Sequence, residues 1–128
     1  MAQFNKPIWS AVIPGELASK SNSRQLVTIK GKPRFIKSAK ARGWTDFAVV
    51  FLKRLRPAAP FDRPLILTAI IRYADYRSDL TDELLCDALQ KADIIKNDRL
   101  IHEKHIYHAI DKLKPRTEVS LAYRGDVA

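Results

Sequence analysis

The sequence predicts an α+β fold, a single domain in which a mixed β-sheet packs with two helices. Residues 65–73 are continuously apolar and rich in β-branched side chains, which is typical of a strand buried on both faces or flanked by helices. Two other segments repeat apolar residues at helical spacing, one before this strand and one after it. The chain has 128 residues, 46% of them apolar, so it has room for one domain with a substantial core.

Three strands and a helix are expected before that central strand. The strands are predicted at residues 8–13, 24–30 and 33–36. A Pro-Gly turn ends the first strand, and the other two pair as a hairpin around a Gly-Lys turn. Ser38 then caps a helix that stops before Pro57, because proline disrupts a helix interior.

The remaining elements follow the central strand. Residues 78–92 predict a helix with leucine and alanine on one face and carboxylates on the other. Two further strands are expected at residues 101–110 and 116–123, and the last one alternates apolar and polar residues as a sheet with one wet face does. The complete predicted order is β-β-β-α-β-α-β-β.

Acidic residues are concentrated in one stretch. Residues 75–98 hold seven acids against three basic residues, a local balance of −4 in a chain of net charge +9. Four of these acids share one face of the predicted helix: Asp79, Asp82, Glu83 and Asp87. A structural explanation exists, since Ser78 or Asp79 would cap the helix and acids near its start favour the helix dipole. The crowding of like charge nevertheless indicates a cation that the stretch itself does not supply.

A divalent ion is the first candidate for that cation, because Mg²⁺ binds through one or two carboxylates plus water and phosphate oxygens. Asp79 and Asp82, three residues apart, would face one ion. Asp98 becomes a third ligand if the next strand runs back beside the helix start. Asp87 lies about 12 Å along the helix axis from Asp79, so it is expected to be a salt-bridge partner or an outer-shell residue.

The rest of the chain is basic. Residues 1–74 carry 14 Lys and Arg against three acids, a charge that suits a polyanionic ligand. Side chains that would donate hydrogen bonds to nucleic-acid phosphates lie in the loop before the hairpin and at the hairpin tip: Lys20, Asn22, Arg24, Lys30, Lys32 and Arg34. The alternative for the loop is a solvated connector.

Several classes of protein are not indicated. No run of 18 apolar residues and no signal-peptide pattern is present, so a cytoplasmic protein with no membrane partner is expected. The single Cys86 forms no internal disulfide. His102, His105 and His108 alternate between the faces of one strand without a cysteine pair, which disfavours a zinc site.

Motifs along the chain resemble the signature of a known family. They are Asp79-Leu80-Thr81-Asp82, Asp87-Ala88-Leu89, Ala92-Asp93, Asn97-Asp98-Arg99-Leu100-Ile101, the loop of residues 19–24 and the strand of residues 65–73. On these motifs the chain resembles the RusA family of Holliday-junction resolvases, small endodeoxyribonucleases of bacteria and prophages. The resemblance implies a homodimer with two acid-lined sites that bind Mg²⁺, or Mn²⁺ as a substitute. Such a dimer nicks two strands of a four-way junction symmetrically, in DNA recombination and repair.

By position, Asp79 matches the family's first catalytic aspartate and Asp98 its last. Thr81 stands where the family has its second aspartate, Asp82 replaces an asparagine, and Leu85 lies near the place of a family lysine. The separation of the first and second motifs is also shorter by two residues.

The resemblance leads to a set of expected roles. Asp79, Asp82 and Asp98 would hold the metal, and Asp87 would order the site or contact a second ion. Lys91 and Lys96 would add to the DNA-binding residues. Two alternatives stay open: a branched-DNA-binding protein of the same fold that no longer cleaves, and a small structural or adaptor protein that does not bind DNA.

Overall fold

Six strands and two α-helices follow one another in the predicted order in a computed structural model that describes residues 6–19 and 22–125. They are β1 Trp9–Pro14, β2 Arg24–Ile29, β3 Lys32–Lys37, α1 Ala39–Lys53, β4 Leu65–Tyr73, α2 Glu83–Lys91, β5 Ile101–Ile110 and β6 Arg116–Tyr123. A short 3₁₀ turn, Asp98–Leu100, leads into β5. The predicted α+β class is therefore confirmed.

Four of the strands form one mixed sheet in the order β1-β6-β4-β5. Strands β4 and β5 are parallel, whereas the β4–β6 and β1–β6 pairs are antiparallel. Parallel neighbours need a crossover connection, and here α2 lies within it. Strands β2 and β3 form a separate antiparallel hairpin.

The core lies on one face of this sheet. Alternate residues of β4, from Leu65 to Tyr73, are fully buried, whereas the residues between them are only half-buried. Of the two predicted alternatives, burial on both faces is therefore wrong, whereas the strand does lie between two helices in the chain. Helices α1 and α2 pack together on one face of the sheet and leave the other partly open. Thr68 and Arg72 lie on the open face, which fits a sheet whose central strand has an antiparallel neighbour.

Helix α2 is shorter than predicted. It begins at Glu83 with Asp82 as its N-cap, so the expected start at residue 78 and the expected caps Ser78 and Asp79 are wrong. Two side chains of the sheet contact backbone carbonyls that a helix starting at residue 78 would use for its own hydrogen bonds. The Tyr73 hydroxyl donates to the Asp79 carbonyl at 3.3 Å, and a ring nitrogen of His108 lies 3.0 Å from the Ser78 carbonyl.

The connection into α1 follows the predicted signals. Ser38 caps the helix, its hydroxyl oxygen accepting from the Ala41 N–H at 3.1 Å. The hairpin turn is centred one residue earlier than expected, on Lys30 and Gly31, which both have positive φ. Two central residues with positive φ form a type I′ turn, whose twist matches that of the two strands it joins.

No helix in the described residues is long and apolar enough to cross a membrane.

Candidate functional site

The segment between β4 and α2 contains the first acids of the acidic stretch, among them Asp79 and Asp82. Asp79 is exposed and lies beside Tyr73, the last residue of β4. Burial, together with the negative charges of Glu16 and Asp79, raises the pKa of Tyr73 to about 12. Glu16 comes from the loop after β1 and accepts hydrogen bonds from the Ala74 N–H at 2.7 Å and from Lys40 at 2.9 Å. Asp79 is thus next to a cluster at the carboxyl end of the central strand.

Asp82 lies farther along the sheet, at the start of α2. Its carboxylate is 2.8 Å from the ammonium of Lys104, which projects from β5 towards the helices. Burial acts to raise the pKa of Asp82, but hydrogen bonds from Lys104 and Cys86 outweigh it, so this pKa falls below its usual value. Asp82 is therefore an ionised, mostly buried carboxylate, with 23% of its side chain exposed.

Cys86 supports that carboxylate from one helical turn away. Its thiol donates to Asp82 Oδ2 at 3.3 Å. Burial, together with the negative charge of Asp82, raises the pKa of this thiol to about 12. The thiol consequently stays protonated at neutral pH and remains a hydrogen-bond donor rather than a nucleophile.

Asp98 lies near the C-terminal end of α2. It starts the 3₁₀ turn before β5, and its backbone N–H donates to the side chain of Gln90 at 2.9 Å. Its negative charge acts on both Cys86 and Lys104. Asp98 is thus within electrostatic range of the Lys104 ammonium that Asp82 contacts, but no described hydrogen bond or ion pair joins Asp98 to Lys104 or to Asp82. A metal site shared by Asp82 and Asp98 stays a prediction.

Asp79 does not join this pair through any described contact. Within residues 6–19 and 22–125, no group of three or more His, Cys, Asp or Glu side chains is placed to hold a metal ion. The helical-wheel placement that put Asp79 and Asp82 over one ion is wrong, because residues 79–82 precede the helix.

Asp87 is a salt-bridge partner. Its carboxylate lies 2.7 Å from Lys37 of the hairpin and 3.0 Å from Lys91, one turn later in α2. Burial acts to raise the pKa of Asp87, but these two ammonium groups lower it below its usual value. Of the roles considered for Asp87, ion pairing is the one that its contacts support.

Two lysines outside the acidic segment thus offset part of its negative charge. Lys37 lies 50 positions before its partner Asp87 and Lys104 follows the segment, so neither enters a local charge count. The imbalance of −4 does not by itself require a metal. Sequence reasoning missed both residues; only the strand periodicity, which puts Lys104 on the same face as His108, carried a signal for one of them.

Donor chemistry at Asp82 and Asp98 does fit magnesium. Both are hard oxygen ligands, and Mg²⁺ is usually held by one or two carboxylates together with water and substrate phosphate oxygens. The Lys104 ammonium occupies the position next to the Asp82 carboxylate that a metal ion would need. An incoming ion would therefore have to replace this ammonium at the carboxylate.

The basic hairpin is fixed against the acidic helix. Lys37 pairs with Asp87, and the Arg24 guanidinium lies 3.9 Å from Glu83. A cavity of about 340 Å³ lies between the two elements. Its lining comprises Ser23, Arg24, Phe35, Ile36, Lys37, Glu83, Leu84 and Asp87.

The residues expected to contact DNA are only partly brought together. Lys20 lies outside the described residues. Asn22 and Arg24 are exposed at the base of the hairpin, and Lys30, Lys32 and Arg34 line one cavity at its tip. Lys91 lies close to the hairpin, because its ammonium and that of Lys37 contact the same carboxylate, Asp87. Lys96 is exposed beyond α2, where its backbone N–H donates to the Phe61 carbonyl.

A scan against protein-family models gave no match for this chain, and a search of the curated proteins gave none either. The resemblance to the RusA family therefore rests on the motif residues themselves. What the site can do has to be inferred from its residues, their contacts and their charges.

Proposed function

We propose that this protein is a Mg²⁺-dependent, structure-selective endodeoxyribonuclease that resolves Holliday junctions and other branched DNA in the cytoplasm, as RusA-family enzymes do. One observation supports this most strongly. The basic hairpin is held against the helix that carries the acidic segment, with Lys37 2.7 Å from Asp87. A DNA strand gripped by the hairpin would consequently pass close to Asp82 at the start of the same helix.

Charge supports the choice of ligand. Residues 24–37 contain five Lys and Arg and no acid. Cations on a projecting hairpin bind the phosphate backbone irrespective of base sequence, and binding weakens as salt rises. A carboxylate pair beside such a surface suits chemistry on the phosphodiester rather than on the base.

The residues of this chain would divide the chemistry among them. Asp82 and Asp98 would hold the metal. The resemblance implies that Asp79 also contributes a carboxylate, although the helical geometry that would place it beside Asp82 does not apply. Magnesium bound there would supply an activated water and positive charge next to the phosphate oxygens. Lys104 is well suited to contribute further positive charge to the phosphate, because its hydrogen bond to Asp82 raises its pKa and keeps it protonated.

A second candidate is a protein that binds branched DNA without cutting it. The ion pair between Lys104 and Asp82 favours this alternative, because a carboxylate held by an ammonium is a poorer metal ligand. Thr81, in place of an aspartate, points in the same direction.

Cleavage of a synthetic four-way junction distinguishes these functions. The wild type is expected to nick the junction in Mg²⁺ and not in EDTA. Asp82→Asn and Asp98→Asn are expected to lose about 100-fold or more of this activity, a size typical of losing an electrostatic catalytic group. Asp93→Asn is a matched control, because Asp93 is exposed and asparagine tolerates its positive φ.

Each outcome of the cleavage and binding assays favours or excludes one of the functional classes. Metal-independent nicking, or full activity in Asp98→Asn, would contradict the proposed metal site. Salt-sensitive junction binding without nicking would favour the second candidate. A wild-type chain that binds no DNA at low salt would exclude both and leave the structural or adaptor class.

The proposal also includes a homodimer, since paired nicks require two sites. The half-open face of the sheet is a surface on which a second copy could pack. Strand register aligns Val12, Glu118, Ile70 and Tyr107 in one row across it. Val12 and Tyr107 are 51% and 56% exposed. Sedimentation of the wild type as a monomer at micromolar concentration would contradict this part of the proposal.

A further inference from the structure

The hairpin exposes large apolar side chains as well as charge. Phe35 is 71% exposed and Leu26 is 59% exposed. They are register partners, so their side chains lie next to each other on the same face of the β2–β3 pair. An exposed aromatic beside an exposed leucine is a small apolar platform, and such patches on otherwise polar surfaces commonly mark binding sites.

Phe35 of this platform lines the groove against α2. Arg24 and Lys37 are also register partners and lie two residues before Leu26 and two after Phe35, which puts all four on one face of the hairpin. That face is the one turned to α2, because Lys37 contacts Asp87 and Phe35 lines the cavity of about 340 Å³ with Glu83. A volume of this size is in the range of small-ligand clefts, roughly 300–1,000 Å³.

The surroundings indicate the kind of ligand. An apolar ring on a hairpin with five cations, two of which share its face, suits a polyanion that also presents flat apolar faces, which describes an unpaired nucleotide. An anionic membrane offers the charge without the flat ring.

We propose that Phe35, supported by Leu26, stacks on an unpaired base at the branch point of DNA, and that this contact lets the protein distinguish branched from continuous duplex DNA. The inference rests on the proposed function. In a continuous duplex each base is already stacked on both sides, so the ring has no face to contact. At a branch point the bases unstack at least cost, which makes stacking on a protein ring selective for that structure.

Binding to synthetic DNA in EDTA tests this step apart from cleavage. The probes are a four-way junction with 2-aminopurine at the branch point and a linear duplex of the same sequence. Phe35→Ala is expected to weaken junction binding by about tenfold and to leave duplex binding unchanged, because stacking acts on single bases. Phe35→Trp is expected to keep the affinity and the change in 2-aminopurine fluorescence.

Phe47→Ala is the matched control, since Phe47 is 43% exposed on α1, away from the hairpin, and should bind like the wild type. The exposure of Phe35 means that its replacement should leave the melting temperature unchanged, which separates loss of stacking from loss of fold.

Four results would overturn the inference. Unchanged junction affinity in Phe35→Ala would refute stacking while a junction-nicking wild type still upheld the proposed function. Equal loss of junction and duplex binding would make the ring a general DNA contact. Altered sedimentation, or lost binding to phosphatidylserine vesicles, with junction affinity unchanged would assign Phe35 to a protein or membrane contact. A wild type that binds no DNA would refute both proposals together.

Discussion

At the scale of single residues, Lys104 is the side chain on which the candidate site depends. It joins β5 to the start of α2 through Asp82, a mostly buried carboxylate. Its charge also interacts with Asp98 and with the protonated thiol of Cys86. No motif in the sequence singled it out, because its role follows from strand pairing and not from spacing along the chain.

Replacing Lys104 with alanine should change both stability and activity. The variant leaves Asp82 without its ammonium partner, so the free energy of unfolding should fall by about 1 kcal/mol in urea titrations. Junction nicking should fall as well, because positive charge near the phosphate is lost. Lys112→Ala, which alters an exposed lysine in the β5–β6 turn, should change neither quantity. Full nicking by Lys104→Ala would exclude a role for this ammonium in the chemistry.

The lowered pKa of Asp87 gives a stability difference that depends on pH. A carboxylate with a depressed folded-state pKa stabilises the fold above its unfolded pKa, about 3.8, and loses that contribution as pH falls through the folded value. Asp87→Asn should therefore be less stable than the wild type by up to about 1 kcal/mol at pH 7. The two should converge as pH falls through the lowered folded-state pKa of Asp87, where its carboxylate becomes protonated. An equal difference at pH 7 and pH 2, measured by urea unfolding, would show that the charge of Asp87 is not the cause.

At the scale of elements, three strands were predictable to the residue. Leu65–Tyr73, Ile101–Ile110 and Arg116–Tyr123 have the expected bounds, because clear apolar or alternating patterns and turn residues define them. The start of α2 was not predictable in this way. Its first expected turn is replaced by hydrogen bonds from Tyr73 and His108, two residues whose positions depend on the finished sheet.

The attachment of the hairpin to α2 can be tested by hydrogen exchange. Lys37→Ala removes the 2.7 Å contact with Asp87, so the amides of β2 and β3 should exchange faster than in the wild type. Lys32→Ala, at the far end of the same hairpin, should leave their exchange rates unchanged. Equal protection in both variants would mean that the ion pair does not hold the hairpin in place.

At the scale of the whole molecule, the fold explains how a strongly basic chain can contain an acidic centre. Cations from the hairpin and from β5 meet the acids of α2, whereas the remaining positive charge lies outside this centre. The sequence predicted the two charged regions and the identity of the acids. It did not predict which lysine pairs with which acid, since that depends on tertiary contacts.

The distribution of charge predicts how DNA binding should respond to salt. Changing both Lys30 and Lys32 to alanine should weaken binding to junction and duplex alike, and should reduce the slope of log affinity against log salt by about two. Lys112→Ala should leave the slope unchanged. An unaltered slope in the double variant would show that the hairpin tip does not contact phosphate.

Metal binding by Asp82 and Asp98 is the central claim, and electron paramagnetic resonance of Mn²⁺ tests it most directly. Wild-type protein bound to a junction with uncleavable phosphorothioate linkages should take up Mn²⁺, and Mg²⁺ should compete for the site. Asp98→Asn on the same DNA should lose this uptake, whereas Asp93→Asn should keep it. Equal Mn²⁺ uptake by the wild type and Asp98→Asn, or no uptake by the wild type, would contradict the claim.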